Sequence, residues 1–122
     1  MQMVVRAYPL PGGRKELVDF AAAVSQKHAG ELAEMYRRHG ADHESWHLQE
    51  ISGESWVICC TRLNDAAEAA RSYGAATEEF DTWFKSEVLR LCGVDPNKTP
   101  LGPPSTQVFA WTDGANVGTF EV

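Results

Sequence analysis

The 122-residue sequence predicts a single α+β domain, and three stretches carry that expectation. Residues 45–51 and 55–61 are aromatic, β-branched runs on either side of Ser52-Gly53, the pattern of an antiparallel hairpin. Residues 14–39 place Leu17, Phe20, Ala21, Val24, Leu32, Met35 and Tyr36 at the three- and four-residue spacing of one buried helical stripe. Residues 77–92 repeat that spacing with Phe80, Trp83, Phe84, Val88, Leu91 and Cys92, and Gly93 with Pro96 ends the run.

Taken in order, residues 3–8 read as a first strand stopped by Pro9 and Pro11, which have no N–H to offer a ladder, and Pro11-Gly12-Gly13 makes the turn. One helix then spans 14–39. Gly30 inside it costs about 1 kcal/mol against Ala and marks a bend or a close contact. Arg37, Arg38 and His39 followed by Gly40 close it, with cations at the negative end and glycine just beyond. In the hairpin Glu50 should face Ser55, Gln49 Trp56, His47 Ile58 and Ser45 Cys60. Because side chains alternate, Trp46, Leu48, Val57 and Cys59 share one face, and Ser45, His47, Gln49, Trp56, Ile58 and Cys60 the other. Asp65-Ala66-Ala67-Glu68 is a capping box opening a short helix that falters at Gly74, with the next helical run beginning near Thr77. Residues 94–105 form a Pro-rich connector, long enough to drape over a pocket or a partner. Residues 106–111 read as the last strand and 113–122 as a tail beyond a domain of 1–112.

Strand, helix, two hairpin strands, helix, strand is the split βαβ order called ferredoxin-like, with a four-stranded antiparallel sheet whose first and third strands are central. The apolar run Val57-Ile58-Cys59-Cys60 suits a central strand, and the polar second strand suits an edge. Helices cover one face of such a sheet. Trp46, Trp56, Phe109 and Trp111 cannot all point at them, so a homodimer through the bare sheet faces is expected.

Composition narrows the function classes. With 43% apolar and 23% charged residues the chain is ordinarily globular, and its net charge of -6, without a basic tract, speaks against nucleic acid. No apolar run approaches the ~20 residues that cross a bilayer, and no signal peptide is visible, so no membrane partner and a cytoplasmic location are expected. Three cysteines without CxxC spacing read as small buried hydrophobes, Cys59 and Cys60 on opposite faces. His43 and His47, four apart on a strand, lie ~13 Å apart, too far for one metal ion. Gly12-Gly13 lacks the context of a nucleotide loop, and no elbow motif supports Ser-His-Asp catalysis. Glu68, Glu78, Glu79 and Asp81, near helix starts, read as a solvated face.

Glu44-Ser45-Trp46-His47-Leu48-Gln49-Glu50, Phe80-Asp81-Thr82-Trp83-Phe84-Lys85, Leu91-Cys92-Gly93-Val94-Asp95-Pro96 and Pro100-Leu101-Gly102-Pro103-Pro104 resemble a small family of unknown function within the dimeric α+β barrel superfamily. The likeness spans nearly the whole chain. It implies two ferredoxin-like sheets closing into a barrel, and implies no single chemistry, since the superfamily holds monooxygenases, polyketide cyclases, haem proteins and plain stress-response barrels.

The mixed face of the hairpin joins an apolar wall to polar anchors, as a small-molecule pocket does. There His47 is the candidate catalytic acid or base, Gln49 an orienting amide and Trp56 a stacking surface. Arg6 and Tyr8 share a face of the first strand and suit an anion or a phenolate. The expected function is binding or conversion of a small hydrophobic or aromatic molecule by a homodimer, without a bound metal or other cofactor. The alternative is a non-catalytic scaffold whose aromatics build the dimer.

Overall fold

The hairpin organises the chain as its turn chemistry dictates. In the computed structural model, which describes residues 2–103, 105–114 and 118–119, β2 (Ala41–Ile51) and β3 (Glu54–Leu63) meet at Ser52 (φ 52°) and Gly53 (φ 80°). Two consecutive left-handed residues match the right-handed twist of the strands they join. The ladder pairs Glu50 with Ser55, Gln49 with Trp56, His47 with Ile58 and Ser45 with Cys60, the register expected from the sequence. β1 (Gln2–Pro9) adds antiparallel to β3, with Val4 opposite Thr61, Arg6 opposite Cys59 and Tyr8 opposite Val57. The sheet order is therefore β1-β3-β2, with β3 central and β2 at an edge.

Four helices supply the second layer: α1 (Arg14–Lys27), α2 (Ala29–Arg38), α3 (Ala66–Ala75) and α4 (Glu79–Cys92). The single helix expected over 14–39 is two. They part at His28 (φ −129°, ψ 22°), whose ring lies 4.8 Å from that of Trp83, two residues ahead of the glycine that suggested the bend. The capping box holds, since Asp65 Oδ1 accepts from the Glu68 amide at 3.1 Å. Gly93 ends α4 in the left-handed conformation. Leu17, Phe20 and Val24 of α1, Met35 of α2 and Phe80, Phe84 and Leu91 of α4 pack on Tyr8 and Val57 of the sheet, each buried side chain contributing about 1.5–3 kcal/mol.

The chain after α4 departs from expectation. Of residues 106–111 only Phe109–Ala110 is extended in a ladder, and this β4 pairs with β5 (Gly118–Thr119) rather than with β1. Among the described residues the main sheet thus has three strands and β1 is an edge. Beside β1, Ser105 donates its hydroxyl to the Val5 carbonyl, a side-chain bond where a fourth strand would give an amide. Of the tail, residues 115–117 and 120–122 lie outside the described residues.

Asp81 is not on a solvated face. It is fully buried, accepting two hydrogen bonds from Arg38 (3.0 and 2.8 Å) and one from His39 Nε2 (2.8 Å). His39 Nδ1 lies 2.7 Å from Ser72 Oγ, so one carboxylate ties the end of α2 to α3 and α4. Buried Lys85 reinforces the same corner by donating to the Ala76 carbonyl at 2.9 Å. Glu68, Glu78 and Glu79 stay exposed, as expected.

Candidate functional site

Alternation along the three strands sends Val4, Arg6 and Tyr8, then Val57, Cys59 and Thr61, then Glu44, Trp46 and Leu48 toward the helices. Packing there is incomplete. A cavity of about 100 Å³ remains between sheet and helices, walled by apolar groups such as Leu17, Met35, Phe84 and Leu91. Arg6, Tyr8, His39, Glu44, Thr61 and the two phenols Tyr36 and Tyr73 are the polar groups in its wall.

Glu44 is the unusual member. Its carboxyl accepts from Trp46 Nε1 at 2.8 Å and from the Thr61 hydroxyl, and no cation stands within 4 Å among the described residues. Burial pushes it up to about 7, against the pull of those two hydrogen bonds. Glu44 and Tyr36 also line an outer groove of about 560 Å³ between the helices and the β2 edge. The phenols and thiols of the wall stay neutral: burial raises Tyr8, Tyr36 and Tyr73 and the Cys59 thiol, and pushes Cys92 up to about 11.

The Pro-rich connector closes over this space, with Pro100 and Leu101 in the cavity wall and the Tyr8 hydroxyl donating to the Leu101 carbonyl at 3.1 Å. Gly102 makes that approach feasible. At φ 77° it adopts a left-handed backbone, and a Cβ there would overlap the Tyr8 hydroxyl.

The candidate residues read from the sequence fall into two groups. Arg6 and Tyr8 line the cavity, whereas His47, Gln49 and Trp56 lie on the opposite, open face of the sheet. His47 and Gln49 are exposed there, and Trp56 is half-buried. His47 Nε2 lies 3.0 Å from Ser45 Oγ, which is 3.2 Å from His43 Nε2, so the two imidazoles converge on one hydroxyl despite the spacing of their Cα atoms. Among the described residues no three His, Cys, Asp or Glu side chains gather as metal ligands, and no helix is long and apolar enough to cross a membrane.

No family model, curated protein or solved structure matches the chain. The site is thus read from its own geometry. Glu44 escaped the sequence reading because the second strand was begun at Ser45; starting it earlier, at Ala41, puts Glu44 on the inward face with Trp46 and Leu48. Asp81 had a signal too, since it precedes Phe84 by three residues on the buried stripe of α4.

Proposed function

We propose that this chain binds a small, largely apolar molecule in the cavity between sheet and helices and exchanges a proton with it through Glu44. One observation carries the proposal: a carboxyl without a counter-charge in an apolar wall, held near pH 7 by burial. A group that is half protonated near neutrality gives or takes a proton at little cost, the condition for general acid–base work. The Trp46 indole and the Thr61 hydroxyl hold the two carboxyl oxygens in place, and burial, by weakening the phenols as acids, keeps them as neutral neighbours. The acid–base role passes from His47 to Glu44, because His47 stands outside the cavity.

The same proposal includes the homodimer. Met3 (52% exposed) and Val5 (38%) lie on the open face beside half-buried Trp56 and Ile58, and between Pro9 and Cys60 that face has no carboxylate. In a chain of net charge -6 this is a surface on which a second copy meets little charge repulsion. Two ferredoxin-like sheets meeting there would form the dimeric α+β barrel, with His47, Gln49 and Trp56 at the interface. A second reading, a non-catalytic dimeric scaffold, is favoured by the exposure of Val108 (63%), Phe109 (69%) and Trp111 (61%).

Carbon-13 NMR of the side-chain carboxyls tests the first reading: Glu44 should titrate with a midpoint near 7, and a midpoint near 4.5 would remove its acid–base role. Native mass spectrometry of the purified protein should show a dimer with added non-covalent mass, lost when Cys59→Phe fills the cavity and retained in Trp56→Ala. A bare dimer whose Glu44 titrates normally would leave the scaffold reading.

A further inference from the structure

Arg6 is the one arginine in the cavity wall, and its bonding is incomplete in a specific way. Its Nη1 donates to the Val5 carbonyl at 3.0 Å and to Ser105 Oγ at 3.4 Å. Its Nε–H is buried and has no partner among the described residues. Nor does Nη2 donate to any described group, and no described carboxylate lies within 4 Å of the guanidinium. The open edge is thus Nε with Nη2, the two parallel N–H groups that a carboxylate engages side-on.

Elsewhere this chain fills that same edge. Arg62 grips Asp42 through Nε (2.6 Å) and Nη2 (3.0 Å), and Arg71 grips Glu68 through Nε (2.9 Å) and Nη2. At Arg6 the same edge has no acceptor among the described residues, and its Nε prong is buried. A buried donor left unpaired is destabilising, the more so when it is charged, so the position is unfavourable unless something accepts from it.

We propose that Arg6 is the anion-recognition group of the cavity, and that the ligand is a compact apolar monocarboxylate whose carboxylate takes the Nε–Nη2 edge. This rests on the cavity-binding reading and adds the substrate class to it. The apolar body then occupies the space bounded by Val57, Phe84 and Leu91. A carboxylate suits the site better than a phenolate, because an acid that is weak in water is readily neutralised in apolar surroundings, whereas a strong one keeps its charge beside a guanidinium. Glu44 adds no opposing charge while it holds its proton.

The test uses isobutyrate and its neutral isostere isobutyramide, titrated into the full chain at pH 6 and followed by the methyl NMR signals of Val57 and Leu91. The expected result is saturable shifts with isobutyrate, at least about tenfold weaker in Arg6→Gln, with the response to isobutyramide unchanged by that substitution. Arg6→Lys, which keeps the charge and lacks the fork, should fall between them, and unchanged circular dichroism should show that both variants fold. If both probes bind equally and neither substitution matters, Arg6 is not the anion site while the cavity reading stands. If neither probe moves the cavity methyls of the folded wild type, the cavity reading fails and the assignment of Arg6 fails with it.

Discussion

Glu44 and Asp81 are both carboxylates taken into the interior, and the chain treats them in opposite ways. Asp81 is surrounded by donors with charge or the capacity for it, two bonds from Arg38 and one from His39, at 2.8 to 3.0 Å. Glu44 has an indole and a hydroxyl, both neutral. Burial raises both acids. At Asp81 the guanidinium and imidazole outweigh it and hold the carboxyl below its ordinary value, whereas at Glu44 burial wins and leaves the group near 7. A paired buried carboxylate fastens helices together, and an unpaired one is available for chemistry.

The sharpest way to break the comparison is to remove the paired charge. Asp81→Asn should cost about 3–5 kcal/mol in chemical denaturation, since Arg38 and His39 lose the group that justifies their placement. The wild-type contribution of Asp81 is present above its unfolded value of 3.8 and should be lost as pH falls through its lower folded value.

Glu44→Gln should act in the other direction. A carboxyl raised from 4.5 to about 7 contributes stability that is complete below pH 4.5 and is lost as pH rises through 7. At about 1.4 kcal/mol per pH unit that gap corresponds to roughly 3 kcal/mol, so the Gln variant should be more stable than wild type at pH 8 by up to about that amount. Its stability should also be flatter between pH 4.5 and 7, while any proton-transfer activity disappears. An equal stability of the two proteins at pH 8 would mean that Glu44 is ionised at no cost.

A finer test is Trp46→Phe, which removes one of the two donors to Glu44 and keeps most of the ring volume. The lost bond favoured the ionised form, so the Glu44 midpoint should move further up, by up to about one pH unit, a net hydrogen bond being worth about 0.5–1.5 kcal/mol. No movement would assign the indole contact to packing alone.

Local signals were legible in the sequence. Alternation gave the register of the hairpin residue by residue, and the capping box at Asp65 and the glycine stop at Gly93 gave two helix ends. Long-range pairing was not legible: the helical stripe of 14–39 runs through His28 unchanged, and the helix breaks where the His28 ring packs against Trp83. Residues 106–111 have strand composition, but composition does not say which edge a strand joins, and Ser105 meets β1 through its side chain. The site was half legible. Arg6 and Tyr8 were read correctly as neighbours on one face, whereas Glu44 and Asp81 were obscured because polar residues are ordinarily assigned to the surface.

The sharing of β3 between a local and a distant neighbour also sets an order of events. β3 pairs with β2 across the Ser52-Gly53 turn, but with β1 only after the whole segment containing α1 and α2 has been looped out, Pro9 opposite Trp56 and Gln2 opposite Leu63. Closing the large loop costs entropy before any contact rewards it, so the hairpin belongs to the folding nucleus and β1 docks late. Gly53→Ala, which strains a left-handed position in the turn, should slow refolding in stopped-flow experiments, whereas Val4→Ala in β1 should chiefly accelerate unfolding. The strand that brings Arg6 to the cavity is then the last to arrive and the first to leave, and the cavity exists only while β1 is in place.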